Sequence, residues 1–376
     1  MKILFSGESL YPPASGGDAS ILTLLEELAK KHDIEAICTG KRTEMARYKG
    51  IKIYRIKTWA SRLPSWVKRY FLNKVWFSIL DSHLKKRKYN LVISQAVLAP
   101  ASVITAKKHG IPVLLFIRSL EHFCLSLFRD VEIPRKHNCL KHASWKYKIQ
   151  YPFFRTMIQW HKKALKKADT IVCISKFVKN VAKNYGVKTD EIIQSSVKIE
   201  NYRFRPRDKR GEYITFINPT KQKGVDIFLK IADKLPNQSF LVVGKTSWFI
   251  KLKLKKRGNI KYVEWTNDMK DVYSKTKILL VPSLIRETFS RVVVEAMCNG
   301  IPIIATNRGG LPEAVGNGGI IIKDALNIDI WTGKIKKLQN DIKLYKKLSG
   351  ICKNRVYKFK LKKQVYKLKT LIEKEG

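Results

Sequence analysis

Two glutamates eight positions apart, Glu287 and Glu295, frame the stretch ETFSRVVVEA in a chain of 376 residues with 75 Lys and Arg against only 30 Asp and Glu. A carboxylate is an acceptor, and one on the ligand-facing side of a first helical turn can take two ribose hydroxyls, as an acidic residue does in dinucleotide-binding folds. That task falls to Glu295. Glu287 sits in the loop before the helix and is free to reach the sugar end of the same ligand, while the backbone N–H groups of Phe289, Ser290 and Arg291 receive a phosphate. Ser290 is the predicted cap of that helix. As an isolated spacing, two acids eight apart arise by chance, so the flanks decide.

Two further loops carry similar chemistry. In NPTKQKGVD, Lys221 and Lys223 stand just before another helix start, and two cations beside a helix N-terminus suit a pyrophosphate; the other reading is a solvated charged loop. In SGESLYPPASGGDAS, Gly16 and Gly17 precede the first helix, where open backbone N–H groups meet an anion or simply make a turn. Gly244 closes the strand-like run SFLVVG in the same part of the chain as Lys223.

These loops need strands to end on and helices to begin. Strand-like runs (KILFSG, IEAIC, IKIYRI, LVISQ, PVLLFIR, TIVCIS, IIQSS) alternate with amphipathic helical segments, pause in the charged stretch 200–212, and restart with YITFIN, SFLVVG, IKYVEW, ILLVPS, PIIAT and GIIIK. Nearly all-apolar strands alternating with helices predict parallel sheets covered on both faces. The fold class is therefore α/β, with two Rossmann-like doubly wound domains facing a central cleft and ligands at the carboxyl ends of the strands.

The segment from Val281 to Gly316 resembles the E-x7-E signature of nucleotide-sugar glycosyltransferases of GT-B architecture, in particular the retaining group called family 4 (glycosyl transferases group 1). The resemblance rests on P-S-x3-E-x-F, E-A-M-x2-G-x-P-I-I-A-T and G-G-x-P-E. The Gly16-Gly17 loop, the run ADTIVCISKF from Ala168, K-G-V-D at 223–226 and V-V-G ending at Gly244 fall in the family's order, so coverage is nearly complete and thinnest between Glu121 and Ala168. It implies that residues 1–200 bind the acceptor, joined by a C-terminal helix at 354–375, and that 201–353 bind the donor. It also implies that Glu295 holds the ribose, Glu287 and Lys223 are catalytic, Gly17 approaches the diphosphate, and no metal or other cofactor is needed. The expected activity is retaining transfer of a hexose-type sugar from a nucleoside diphosphate to a glycan or lipid-linked acceptor, in the building of cell-surface polysaccharide, glycolipid or glycoprotein. Departures from the pattern are Asn218, Pro219 and Thr220 where an Arg is usual, with Lys221 the nearest cation, and Ser290 in place of Gly. Arg118 and Ser119 stand where many members have a His, with His122 slightly beyond; Arg118 and His122 are candidates for the acceptor side.

The net charge of +45 points to an anionic partner or to a general lysine bias. A nucleic-acid- or anionic-surface-binding scaffold is the rival function, and a phosphorylase or epimerase is a third within the fold. Nucleic acid is disfavoured because a binding scaffold has no reason to keep Glu287, Glu295 and Lys223 together. Residues 59–88, with Trp59, Trp66, Tyr70, Phe71, Trp76 and Phe77 among Arg and Lys, read either as a helix lying on an anionic membrane or as one packing its aromatics inward. The closing helix reads as a packed clasp or as a basic tail. His122, Cys124, His137, Cys139 and His142 lack the spacing of common zinc sites, and more naturally shape the acceptor side. Scattered cysteines without a C-x-x-C pair suit buried thiols in a reducing compartment. Neither a secretory leader nor a spanning helix is read, so the expected place is the cytoplasm, with contact at the inner membrane face.

Overall fold

The computed structural model describes residues 1–13, 15–123, 145–204, 211–266 and 268–375, the side chains at 65, 66, 145–148 and 150 excepted. Contacts divide it into two units: Met1–Ser196 together with the chain from Leu361 onward, and Val197–Lys360.

In the first unit, β1 (Lys2–Gly7), β2 (Asp33–Gly40), β3 (Glu44–Tyr48), β4 (Ile51–Lys57), β5 (Leu91–Gln95), β6 (Val113–Ile117), β7 (Thr170–Cys173) and β8 (Glu191–Ile192) form one sheet in the order β3-β4-β2-β1-β5-β6-β7-β8. All neighbours are parallel except β3 and β4. The second unit holds β9 (Tyr213–Ile217), β10 (Phe240–Val243), β11 (Ile260–Val263), β12 (Thr276–Val281), β13 (Ile303–Thr306) and β14 (Gly319–Ile322), parallel and ordered β11-β10-β9-β12-β13-β14. The α/β class and the two parallel-sheet domains stand as read, because strands buried on both faces must be apolar throughout.

Strand β3 escaped the sequence reading. Its residues EMARY are mostly exposed and show no apolar alternation. What makes it a strand is the turn: Lys49 and Gly50 have φ of 45° and 82°, the two-residue hairpin geometry that matches strand twist. An Arg55–Glu44 ion pair at 2.7 Å and a Tyr11–Tyr48 ring stack hold the edge.

The aromatic stretch at 59–88 turns inward along most of its length. A short 3-10 turn, Trp59–Arg62, precedes the helix Ser65–Lys86. Trp76 is fully buried and donates its indole N–H to Ser6 Oγ at 3.0 Å. Tyr70 stacks on Trp160 at 5.2 Å and Phe77 meets the same ring edge-on, so these aromatics serve packing against the helix Trp145–Lys167.

The closing segment also differs from expectation. Val356 and Phe359 are buried in the second unit, where Phe359 meets the Phe289 ring at 5.4 Å. Only from Leu361 does the chain belong to the first unit, as the helix Leu361–Glu375 whose Val365, Leu368, Leu371 and Ile372 join the core beside Leu24, Leu25 and Leu28. The clasp thus begins seven residues later than 354, because the apolar positions before Lys360 are already used. Cys38, Cys173, Cys298 and Cys352 are buried free thiols; Cys124, His137, Cys139 and His142 lie outside the described residues.

Among the charged side chains buried in the first unit, Glu35 is the most enclosed. Glu35 on β2 is fully buried, accepts the Tyr89 hydroxyl at 2.6 Å, and has Lys2 at 3.3 Å and Lys52 and Arg87 at 3.5 Å. Burial works to raise its pKa, but the Tyr89 hydrogen bond and Lys2 outweigh it and hold the carboxyl below the usual glutamate range. The folded state therefore binds this proton less tightly than the unfolded chain. Its stabilisation is complete above the unfolded pKa and is lost as pH falls through the folded one. The melting-temperature gap between wild type and Glu35→Gln is expected to be widest near neutrality and to shrink below about pH 4. Calorimetry showing a constant gap across that range would refute the assignment.

Candidate active site

In the second sheet the strand order reverses between β9 and β12, and ligands in such sheets sit outside the carboxyl ends at that reversal. The loop after β9 brings Lys223 there and the loop after β12 brings Glu287. Lys223 Nζ lies 2.5 Å from Glu287 Oε1, and the Ser283 hydroxyl donates to the same oxygen at 2.6 Å. Ser283 is in turn anchored through its carbonyl, which accepts the Thr306 hydroxyl at 2.7 Å.

Backbone clearances explain the glycines around this pair. Gly224 has φ of 84° and a Cβ on it would stand 1.9 Å from the Pro282 carbonyl oxygen, so the K-G step is what lets the two loops touch. Leu284 N–H then donates to the Gln222 carbonyl at 3.0 Å. On the other side, Glu287 forms an isolated parallel bridge with Gly309, and its carbonyl accepts the Gly310 N–H at 2.6 Å. A Cβ at Gly309 would fall 2.3 Å from that carbonyl oxygen.

Glu295 is placed differently. It is buried in the helix Arg291–Met297, with Oε1 accepting Arg291 Nε–H at 2.8 Å and Oε2 accepting the Tyr273 hydroxyl at 2.8 Å. Arg291 also donates to the Tyr202 hydroxyl at 2.8 Å. Burial works to lower the Arg291 pKa, but Glu295 overcomes it and the guanidinium is held above its ordinary value. Burial, followed by the Glu295 charge, pushes both tyrosines up, so they remain hydroxyl donors. A carboxylate offers about four acceptor positions, and these contacts occupy only part of that capacity.

The structure thus joins Glu287 with Lys223 and joins Glu295 with Arg291. Phe289 is buried, its ring a core anchor against Phe359, so any ligand contact there falls to its backbone. Ser290 is not the cap expected: its φ is 108° and its side chain makes no capping bond, because this backbone conformation does not aim the hydroxyl at the helix N–H groups. Lys221 is exposed in the same loop as Lys223. Gly244, at φ 129°, packs on Asn218 and accepts the Tyr262 hydroxyl through its carbonyl at 3.0 Å. Tyr202 and Tyr273 were missed by sequence reading, since nothing local marks a tyrosine whose partner lies far along the chain.

In the first unit Gly16 opens the helix Gly16–Leu28, and Gly17 follows with ordinary room for a Cβ. The N-terminus already holds an acid: Asp18 accepts the hydroxyls of Ser9 and Ser15, each at 2.8 Å, while Ser15 Oγ accepts the Asp18 N–H at 3.2 Å. The S-x-x-D spacing was the available signal for this box. A cavity of about 790 Å³ opens at the carboxyl ends of β1, β2 and β5, lined by Glu8, Asp18, Thr39, Lys68 and Gln95 among others. Arg118 and His122 are both buried, Arg118 over the Phe116 ring at 4.8 Å and His122 Nδ1 at 3.1 Å from His161 Nδ1. Burial pushes the His122 imidazole down to about 4. Among the described residues no group of three or more His, Cys, Asp or Glu is placed to hold a metal ion.

A parallel sheet of this order, with a cation and a carboxylate in contact at its reversal point and a second buried acid in the helix that follows, is the arrangement of the second domain of a GT-B fold. The family comparison makes this definite: the model described as glycosyl transferases group 1 matches residues 198–355, and that described as glycosyltransferase family 4 matches 14–194. The chain belongs to the family 4 glycosyltransferases. It is 25% identical over 334 residues to an uncharacterised protein in the cps region of Klebsiella pneumoniae, covering 83% of this chain and 87% of that one. Another protein from the same region, 27% identical over 203 residues, is matched over only about half its length, 56%, and over 46% of this chain. Sucrose-phosphate synthase from Thermosynechococcus elongatus superposes with a TM-score of 0.78 at 15% identity, covering 99% of this chain and 98% of that one. Anabaena HepE, solved in complex with UDP and glucose, superposes at 0.74 with 14% identity and 99% of each chain covered. At these identities the structures speak for the fold.

Ser290 generates a test of the local geometry. A non-glycine residue at such a φ costs on the order of 1–3 kcal/mol. Ser290→Gly is expected to raise the stability of the second unit by about 1 kcal/mol, read as a higher melting temperature; an unchanged or lower value would show that the serine is not strained there.

Proposed function

We propose that this glycosyltransferase moves a hexose-type sugar, with retention at the anomeric carbon, from a nucleoside-diphosphate donor to a glycan or lipid-linked acceptor in cell-surface glycan assembly. The observation that carries the reading is the Lys223–Glu287 contact at the reversal point of the second sheet. A diphosphate arriving there competes for Lys223. Glu287 keeps its Ser283 hydrogen bond and turns its remaining acceptor positions to sugar hydroxyls.

As the bond between the anomeric carbon and the phosphate oxygen breaks, negative charge grows on the leaving diphosphate while the acceptor oxygen bonds to the anomeric carbon and passes its proton to the departing phosphate oxygen. Lys223, with Lys221 beside it and the backbone N–H groups of Phe289, Ser290 and Arg291, is assigned to meet that charge, so the reading requires no metal ion. Glu295, already fixed by Arg291 and Tyr273, is assigned the ribose hydroxyls. The acceptor is assigned to the first unit, where the cavity at the ends of β1, β2 and β5 has room for a sugar. The UDP and glucose bound by HepE favour a UDP-sugar as the first donor to try. The two cps-region relatives favour a surface polysaccharide as product.

The test is a thermal-shift screen against UDP-, GDP-, ADP- and CMP-sugars without added metal. One donor class at about 100 times its Kd should stabilise the protein by about 2.7 kcal/mol, and that shift should vanish in Lys223→Ala. With the responding donor and extracted acceptor, Glu287→Gln should lower the transfer rate by about 10²–10³ while leaving the melting temperature near wild type. If no nucleotide sugar shifts the wild type, the donor assignment fails.

A further inference from the structure

The second unit presents a patch that donor chemistry does not use. Trp248 and Phe249 open the helix Trp248–Lys255, and they are 65% and 73% exposed, with their rings edge-on to each other at 5.2 Å. Leu252, one turn on from Trp248, is 37% exposed, and Trp265 beyond β11 is 60% exposed. The helix is seated by Ile250 and Leu254, which are buried at the i, i+4 spacing, so its other side must face outward. Lys251 pairs with Glu264 at 2.6 Å and Lys245 lies 5.8 Å over the Trp265 ring, which ties the helix start to the segment bearing Trp265.

Charge accompanies the rings. From Lys245 to Lys261 the chain carries seven basic residues, six Lys and Arg257, and no acid. Lys253, Lys255 and Lys256 are exposed on the helix that bears Trp248 and Phe249. Protruding indole and phenyl rings flanked by lysines match a bilayer interface, where aromatic rings settle at headgroup depth and anionic lipids attract the cations.

We propose that this tip, Trp248, Phe249, Leu252 and Trp265 with their lysines, is the surface by which the protein docks on an anionic membrane. Its position gives the docking a purpose. The Thr246 hydroxyl donates to the Pro219 carbonyl at 2.5 Å, so the segment leading into Trp248 is fastened to the loop that carries Lys221 and Lys223. Membrane contact at the tip holds that loop beside the lipid headgroups, within reach of a lipid-linked acceptor.

The experiment is flotation of the full chain with phosphatidylcholine vesicles containing about a third phosphatidylglycerol, and with phosphatidylcholine alone. The wild type should float with the anionic vesicles only, and Trp248→Ala/Phe249→Ala should lower its partitioning about tenfold or more. Lys253→Glu/Lys256→Glu, which leaves the rings in place, should do the same and provides a second route if the aromatic variant folds poorly. Trp59→Ala, in the first unit, should float as wild type does. The nucleotide-sugar thermal shift should be the same in all variants, so loss of docking and loss of donor binding are separable. The proposal is overturned if wild type ignores anionic vesicles, if both double variants float unchanged, or if a single-stranded oligonucleotide binds through these residues while vesicles do not.

Discussion

Glu287 is fixed by its backbone before its side chain does anything. The bridge to Gly309 and the short bond to Gly310 bring two chain segments so near that neither position tolerates a Cβ, and Gly224 against Pro282 repeats the device on the opposite side. Three loops, following β9, β12 and β13, are thereby locked into one block at the carboxyl edge of the second sheet. Every side-chain distance in the site follows from that block, since Lys223 and Ser283 meet Glu287 only while their loops cannot separate. In the reaction proposed above, a rigid base of this kind would supply charge-stabilising groups that need little rearrangement as charge develops, which is where such groups gain most of their effect.

The two glutamates of the signature are chemically alike and physically unlike. Glu295 is buried and shared between a guanidinium and a phenol, in a network that spans Tyr202, Tyr273 and Arg291. Removing Arg291 would strand the buried Glu295 charge, at a cost of about 3–5 kcal/mol, so this carboxylate is as much part of the framework as of the site. Glu287 has one lysine partner that is partly exposed and one hydroxyl partner. A ligand can displace the first without unfolding anything. The difference between a carboxylate locked in a buried network and one with a partly exposed partner comes from these surroundings and not from residue type.

Much of this was legible in the sequence, for definite reasons. Strands buried on both faces had to be apolar, so the two sheets and their order of elements stood out, while the glycines beside Glu287 and Lys223 entered only as parts of the K-G-V-D and G-G-x-P-E motifs, and the structure supplies their reason in close backbone approach. What stayed hidden depended on distance or on phase. Strand β3 is polar and owes its existence to the Lys49-Gly50 turn. Phe359 continues the apolar spacing of the last helix, yet it packs against Phe289 in the other unit, a contact no periodicity could assign. Tyr202 and Tyr273 reach Glu295 from 93 and 22 positions away, with no local pattern to announce them.

The same limit explains why bulk charge was a poor guide and local exposure a better one. A net charge of +45 is spread over most helices, and basic residues interleaved with aromatics occur both at 59–88 and at 245–265. The two stretches are equivalent in composition and opposite in orientation. In the first, Trp76 turns to Ser6 in the core and Tyr70 and Phe77 close on Trp160, leaving Trp59 exposed at one end. In the second, Ile250 and Leu254 take the inward face of a short helix, and Trp248, Phe249 and Leu252 have nowhere to go but outward. Helical phase relative to the sheet separates a core from a surface. Where phase turns aromatic rings outward among exposed lysines, the cost of leaving that apolar area in water is itself the force that favours a partner.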